Sequence, residues 1–447
     1  MKKSTLVVLL LAAALGGYVY YAEFRHPTEK PAPGASKPLY TFPSDDVTSF
    51  RITRAGETAP VTLERRKEGW VLTSPVETRA DSGAADLMAE ALAHVASSRQ
   101  WPQDPARMKE FGLDPPAAIV EIQLKSGPAQ RLELGAKDFT GMNVYARQGG
   151  AKDVLLVPDS VLTDVSRSVL ELRDRAVLAL GGWKLTELDF QTPKTKFRLE
   201  RKGDNWEITE PRQAPADADE ATSYSNSLSS ARFIDVVEEQ ASGRGVDQRY
   251  GLASPQVAVH LRTEQGAEAS LLIGKMDNNN TYFARDAARS LVFHVDGTLA
   301  KKFLDASFES LRDKHVLRAQ ADDFAEITIR NEKQTMRATR SGDGKWQAQE
   351  PTEVKGKELN ARRVFDQLTS SRATEVIDHP AGKILAGLAK PAVEIKLTGK
   401  NGAVTTIAVT AKDGDAVYAR SSLSPVVFKL DANILSQLNV PAAQLAH

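Results

Sequence analysis

Six arginines recur at matching places along this sequence. Arg99, Arg232 and Arg372 follow Ser97-Ser98, Ser230-Ala231 and Ser370-Ser371, while Arg147, Arg285 and Arg420 follow Tyr145-Ala146, Phe283-Ala284 and Tyr418-Ala419. A guanidinium presents a planar fork of donors that suits carboxylates and phosphates. These six residues are therefore the candidates for capturing a small anionic ligand. The competing reading is structural, because recurrence within one chain also reports shared folding needs. On that reading Arg99, Arg232 and Arg372 end helices, where a cation complements the helix dipole. Arg147, Arg285 and Arg420 then sit on equivalent strands, and Arg173-Asp174 and Arg312-Asp313 staple one unit to the next. Trp101 and Trp183 have no counterparts elsewhere and are candidates for a surface role such as stacking on a glycan.

Other chemistry is sparse. Gly342-Asp343-Gly344-Lys345-Trp346 lacks the spacing and the Ser/Thr of a phosphate-binding loop, and no Gly-x-Ser-x-Gly elbow occurs. The seven histidines are scattered, none with a second at helical metal-ligand spacing. Asp277-Asn278-Asn279-Asn280 and Asp217-Ala218-Asp219-Glu220 carry oxygens but lack the distal Glu of a calcium loop, so turn and helix cap are the expected roles. The sequence names no catalytic residue, no metal ligand and no cofactor. There are no cysteines, which removes disulfides and thiolate chemistry. Lys plus Arg and Asp plus Glu balance at 58 each, so no global field favours nucleic acid.

The elements that carry the arginines repeat. Trp70-Val-Leu-Thr-Ser-Pro75 returns as Trp206-Glu-Ile-Thr-Glu-Pro211 and as Trp346-Gln-Ala-Gln-Glu-Pro351. Period-two alternation precedes each copy (Phe50 and Ile52; Leu188 and Phe190; Ile327 and Ile329), as in half-buried antiparallel strands. A helix follows. Asp81 or Ser82 caps the first, with the face Ala84, Leu87, Met88, Ala91 and Val95; Asp217 or Asp219 opens the second, through Tyr224 and Leu228; Leu359, Val364, Phe365 and Leu368 line the third. Then come Phe111-Gly112-Leu113, Tyr250-Gly251-Leu252 and Ala386-Gly387-Leu388, where glycine suits a helix stopping in a left-handed residue. Alternating strands at Val120–Leu124, Val257–Leu261 and Val393–Leu397 lead into a meander and a closing helix.

This pattern predicts an α+β protein of three tandem, antiparallel-sheet-rich repeats of about 130–140 residues each, a size at which a domain can hold its own core. The expected bounds are 46–179, 180–318 and 319–440, with a tail over 441–447. The period makes Trp70, Trp206 and Trp346 core anchors.

Met1-Lys2-Lys3 followed by an apolar run from Leu6 to Tyr21, with Tyr18, Tyr20 and Tyr21 at its far end, predicts an uncleaved signal anchor over 1–23 that enters the membrane through residues 4–21, a cleaved signal peptide being the alternative. Residues 24–45 carry five prolines and read as a semi-extended linker. The expectation is a single-pass protein of the inner membrane, its N-terminus cytoplasmic and its body periplasmic.

Trp-x-x-x-x-Pro, Tyr/Phe-Gly-Leu-x-x-Pro, Leu134-Gly135 and Ile273-Gly274, Tyr-x-Arg and Leu-Arg-Asp, behind one N-terminal anchor, resemble domain-of-unknown-function family 4340 in three tandem copies. The third copy departs: Ala386 replaces the aromatic, Thr410 stands where Gly would sit, and Leu-Arg-Asp is missing. The resemblance implies a membrane-anchored protein of the bacterial envelope, some relatives being companions of ABC-type export or gliding-motility systems. It brings no established activity. The expected function is a non-enzymatic module that binds or scaffolds a protein partner in the envelope. The alternatives are an envelope enzyme acting on glycan or peptide and a small anionic ligand-binding protein.

Overall fold

A computed structural model describes residues 36–102, 105–180, 182–241, 243–277 and 280–445. The expected anchor and most of the linker lie outside these residues. Among the described residues no helix is long and apolar enough to cross a membrane. Contacts divide the chain into two compact units, with the boundary along the chain between Arg175 and Ala176. The architecture is α+β, with antiparallel sheets dominant.

The first unit holds a nine-stranded sheet. Its order across the sheet is Thr78–Arg79, Gly69–Ser74, Val61–Arg66, Val47–Arg54, Ala118–Leu124, Gln130–Lys137, Asn143–Gln148, Asp153–Pro158 and Arg99–Pro102. Alternation puts Phe50, Ile52, Val120 and Ile122 on one face. The helix Ser82–Ala93 covers that face, and Asp81 caps it by accepting from Ala84 N at 3.0 Å. The predicted face of this helix is corrected. Ala85, Met88, Ala89 and Leu92 are buried, whereas Leu87 is 66% exposed. Four apolar residues at i, i+3, i+4 and i+7 outweigh one leucine about 100° away.

Trp70 is buried, stacks on Phe50 with centroids 5.0 Å apart, and donates its indole N–H to Asp86 at 2.8 Å. Such an aromatic pair contributes about 0.5–1.5 kcal/mol beyond its buried area. Trp206 and Trp346 are buried at the same place in their own sheets. Each of the three strands ends in a cis X-Pro peptide, at Pro75, Pro211 and Pro351. Part of the linker belongs to this core: Lys37–Pro38 pairs with Ala96–Ser97, and Tyr40 is buried, its hydroxyl raised by burial to about 12.

The second unit holds two sheets. One, of nine strands, repeats the order of the first, from Ala214–Pro215 through Asn205–Glu210, Lys196–Lys202 and Leu185–Gln191 to Val257–Thr263, Glu268–Met276, Thr281–Asp286, Val292–Asp296 and Val236–Glu238. The other has eight strands in the equivalent order, beginning at Trp346–Glu350 and ending at Glu375–Ile377. The helices Ala218–Ser230 and Ala361–Ser370 cover their faces through Tyr224 and Leu228 and through Val364, Phe365 and Leu368. Asp217 and Asn360 are their caps.

The glycine tags work by close approach. Gly112 and Gly251 take φ of +66° and +73° after short helical turns. A Cβ on Gly112 would lie 2.7 Å from Ala136 N, and one on Gly251 2.8 Å from Lys275 N. The partner glycines, Gly135 and Gly274, sit against the carbonyls of Phe111 and Tyr250. In the third sheet Thr410 takes the partner's place, and Gly387 lies inside the helix Gly382–Ala389 instead of ending it.

A closing strap follows each sheet. Asp81 N donates to Leu172 O at 2.9 Å and Asp217 N to Leu311 O at 2.8 Å, so the Leu of Leu-Arg-Asp seals the helix cap. Asn360 N donates to Leu445 O at 2.7 Å. Leu445 therefore does the same work in the third sheet, within the stretch expected to be a tail, and both Ala442 and Leu445 are buried.

Candidate functional site

The recurring arginines have diverse roles. Arg99 is exposed and opens the strand Arg99–Pro102, whereas the preceding helix stops at Ala93, so Arg99 does not end a helix. Arg232 behaves as expected, donating to Ser229 O and Ala231 O at 3.0 Å beyond the helix Ala218–Ser230. Arg372 instead crosses to the cap of the preceding sheet's helix, pairing with the buried carboxylate of Asp217 and lying 3.6 Å from Asp219. Arg147 pairs with buried Glu133, which also takes Arg131 at 3.0 Å. Arg285 holds Asp247 at 2.8 Å, tying its strand to the helix Arg244–Tyr250. Arg420 is exposed on the equivalent strand. Trp101 packs edge-on against Phe111 and Tyr145 at 6.2 and 6.3 Å, in a satellite core with Met108 and Val154. Trp183 is half-buried, its carbonyl accepting from Ser225.

A different set converges within the second unit, where its two sheets meet. Arg312, from the strap, is 5% exposed at its side chain and donates to both oxygens of Asp378, at 2.8 and 3.1 Å. Arg212, just after Pro211, reaches the same carboxylate at 2.8 Å and lies 4.0 Å over the Phe308 ring. The hydrogen bond from Arg312, then that from Arg212, holds Asp378 well below the usual carboxylate range. Two cations on one anion leave this triad positive, and Glu309, 3.4 Å from Arg312, offsets it.

Beside the triad, Asp313 accepts from His315 N at 3.0 Å and His315 Nδ1 at 2.7 Å, and pairs with Arg318 at 2.5 Å. Asp217, Asp313 and His315 bring three potential ligand atoms within 4.8 Å of one another. Both carboxylates already face arginines, Arg372 and Arg318, so the group is complete as an ion-pair network.

Arg212, Arg312, Asp313, His315, Arg318 and Asp378 line a cleft of about 490 Å³ together with the apolar side chains of Val376, Leu423, Val426 and Phe428. The staple expected at Arg312 is there, and its partner is Asp378. Asp174, by contrast, pairs with Arg79 of its own sheet. Neither Arg212 nor Asp378 stood out in the sequence, because neither recurs in the other repeats: Val76 stands where Arg212 does.

Fold and site together define a sheet-repeat protein whose buried charges join modules. The sequence model of the family described as Domain of unknown function (DUF4340) matches residues 70–248 and 206–386, and the chain belongs to this family. The two matches overlap, and each begins on a repeated tryptophan. Comparison with curated proteins returns no match. Among solved structures, a DNA polymerase III subunit beta and a griselimycin-bound DnaN sliding clamp, both from Pseudomonas aeruginosa, align over 88% and 89% of this chain and 93% and 94% of theirs. Identity is 9% and the TM-score 0.14 for both, values at which the likeness says nothing of the fold.

Proposed function

We propose that the chain is a membrane-tethered, non-enzymatic scaffold of the bacterial envelope, built from three tandem repeats at 46–179, 180–318 and 319–440. Its N-terminal apolar run anchors it in the inner membrane, and its body stands in the periplasm and holds a protein partner, such as an envelope ABC-type transport or motility-like complex. The observation that carries this reading is the Arg212–Asp378–Arg312 triad with the Arg372–Asp217 pair. Arg312 and Asp217 are buried charges that are costly to leave without their partners, so these pairs hold the modules in one arrangement, which is what a scaffold requires. The carboxylates moved by hydrogen bonds, such as Asp378 and Asp296, are moved down, away from the range of a general acid. Crosslinking the full-length protein in native membranes, followed by pulldown, should recover one envelope complex that residues 36–447, which keep the Lys37–Pro38 strand and Tyr40, recover less well. No specific membrane partner with either form would overturn the reading.

The cleft supports a second reading, capture of a small ligand with an anionic head and an apolar body. Arg212 and Arg318 would face the head, and Leu423 and Phe428 the body. A thermal-shift screen with anionic amphiphiles should raise the melting temperature of wild type but not of Arg318→Ala. No shift with any of them removes this reading.

A further inference from the structure

The hairpin that joins Gln130–Lys137 to Asn143–Gln148 in the first unit presents two large apolar side chains to solvent: Phe139 is 98% exposed and Met142 69%. The loop beneath them is well tied. Asp138 N donates to Asn143 O at 2.9 Å, and the buried Asp138 carboxylate accepts from Thr140 Oγ1 at 2.7 Å and Asn143 N at 3.3 Å. Gly141, at φ +72°, makes the turn, and Met142 O accepts from Asp159 N at 3.0 Å.

The fold does not require these apolar residues. The matching loops read Asp277-Asn278-Asn279-Asn280 and Lys412-Asp413-Gly414-Asp415, polar throughout. The second and third hairpins close with the same kind of backbone bond, from Asp277 N to Thr281 O and from Asp413 N to Ala416 O, both at 2.9 Å. Met276, 54% exposed, flanks the loop of the second hairpin, but only the first unit, the one next to the N-terminal apolar run, carries a Phe and a Met within the loop itself. From Ala22 to Ser36 the chain can span at most about 50 Å. A unit of this size has a radius of gyration of about 14 Å, so its faces lie within reach of a bilayer that holds the run.

We propose that the 138–142 hairpin inserts Phe139 and Met142 into the interfacial layer of the membrane to which the chain is tethered. An aromatic ring and a flexible thioether suit the boundary between headgroups and acyl chains. Two side chains bind a bilayer weakly by themselves, but a short tether raises their effective concentration enough for steady contact. The contact sets which face of the first unit lies against the bilayer. This inference rests on the anchor reading of residues 1–23.

The absence of cysteine permits a clean test. Met142→Cys, with Glu332→Cys as a second-unit control, is labelled with a polarity-sensitive fluorophore in the full-length chain and reconstituted into phosphatidylethanolamine–phosphatidylglycerol vesicles. At 142 the emission should shift to shorter wavelength and be quenched by brominated acyl chains; at 332 it should do neither. Adding Phe139→Asp should reverse most of the shift at 142. If the chain floats with the vesicles but the label at 142 stays in water, the inference is overturned while the anchor reading stands. If the chain does not float with vesicles, the anchor reading fails and takes the inference with it. A shift that grows with protein concentration without lipid would assign the hairpin to a second copy and equally overturn it.

Discussion

The second and third sheets share a strand order and differ in how they are locked. In the second, the chain turns sharply at Gly251 against Gly274, and the missing side chains leave room for Lys275 N and the Tyr250 carbonyl, the backbone beside each partner glycine. In the third, Thr410 has replaced the partner glycine, and the segment over Gly387 has become a continuous helix, Gly382–Ala389. The glycines are thus one coupled feature, and losing one releases the other. The straps differ similarly. Leu311 and Leu445 make the same backbone bond to a helix cap, but only Leu311 is followed by Arg-Asp, whose arginine reaches Asp378. The backbone bond belongs to the sheet, and the charges belong to the joint.

Asp378→Ala tests the joint and should have the largest effect. It leaves Arg312 buried without its carboxylate and should cost on the order of 3 kcal/mol in chemical denaturation of the second unit, the low end of such losses because Asp378 is partly open to water. The locks come next. Gly274→Ala drives a Cβ into the Tyr250 carbonyl and should cost about 1–3 kcal/mol. Gly387→Ala, whose Cβ would meet only Thr410 Cγ2 at 3.1 Å in a helix that prefers alanine, should change stability by less than about 1 kcal/mol. Equal losses at both positions would erase the contrast drawn between the two sheets.

Acid should weaken the joint as well. The Asp378 pKa is depressed in the folded state, so its contribution is fully present above the ordinary carboxylate value of about 4 and is lost as pH falls below that toward the depressed value. In a pH series of unfolding, the gap between wild type and Asp378→Asn should therefore narrow below about pH 4. Thr410→Gly removes a buried hydroxyl that accepts from Tyr418 N at 3.0 Å and should cost about 1–2 kcal/mol, without return of the sharp turn.

Much of the fold was legible. Trp70, Trp206 and Trp346 mark one core position in each sheet, Asp81 and Asp217 cap the helices they were expected to cap, and Val257, Val259 and Leu261 line one face of a strand. These features follow from local periodicity and cap chemistry, which a sequence displays directly. The helix face at Leu87 was misread because several apolar residues surround that helix and only the sheet's position decides which are covered. The tail over 441–447 was unreadable as a strap, since the feature it shares with Leu172 and Leu311 is a carbonyl, which every residue type carries.

The site divides in the same way. Recurrence singled out the arginines, but it could not say whether Arg147 would meet Glu133 beside it or Arg372 would meet Asp217 far along the chain. By itself the sequence determined where strands alternate, where helices are capped and most of the residues that build the cores, because strand alternation and helix caps act over a few residues. Only the tertiary structure decided what the charges do. A guanidinium's role depends on which carboxylate lies within about 3 Å of it, and for Arg212, Arg312 and Asp378 that is settled by the packing of one sheet against the next.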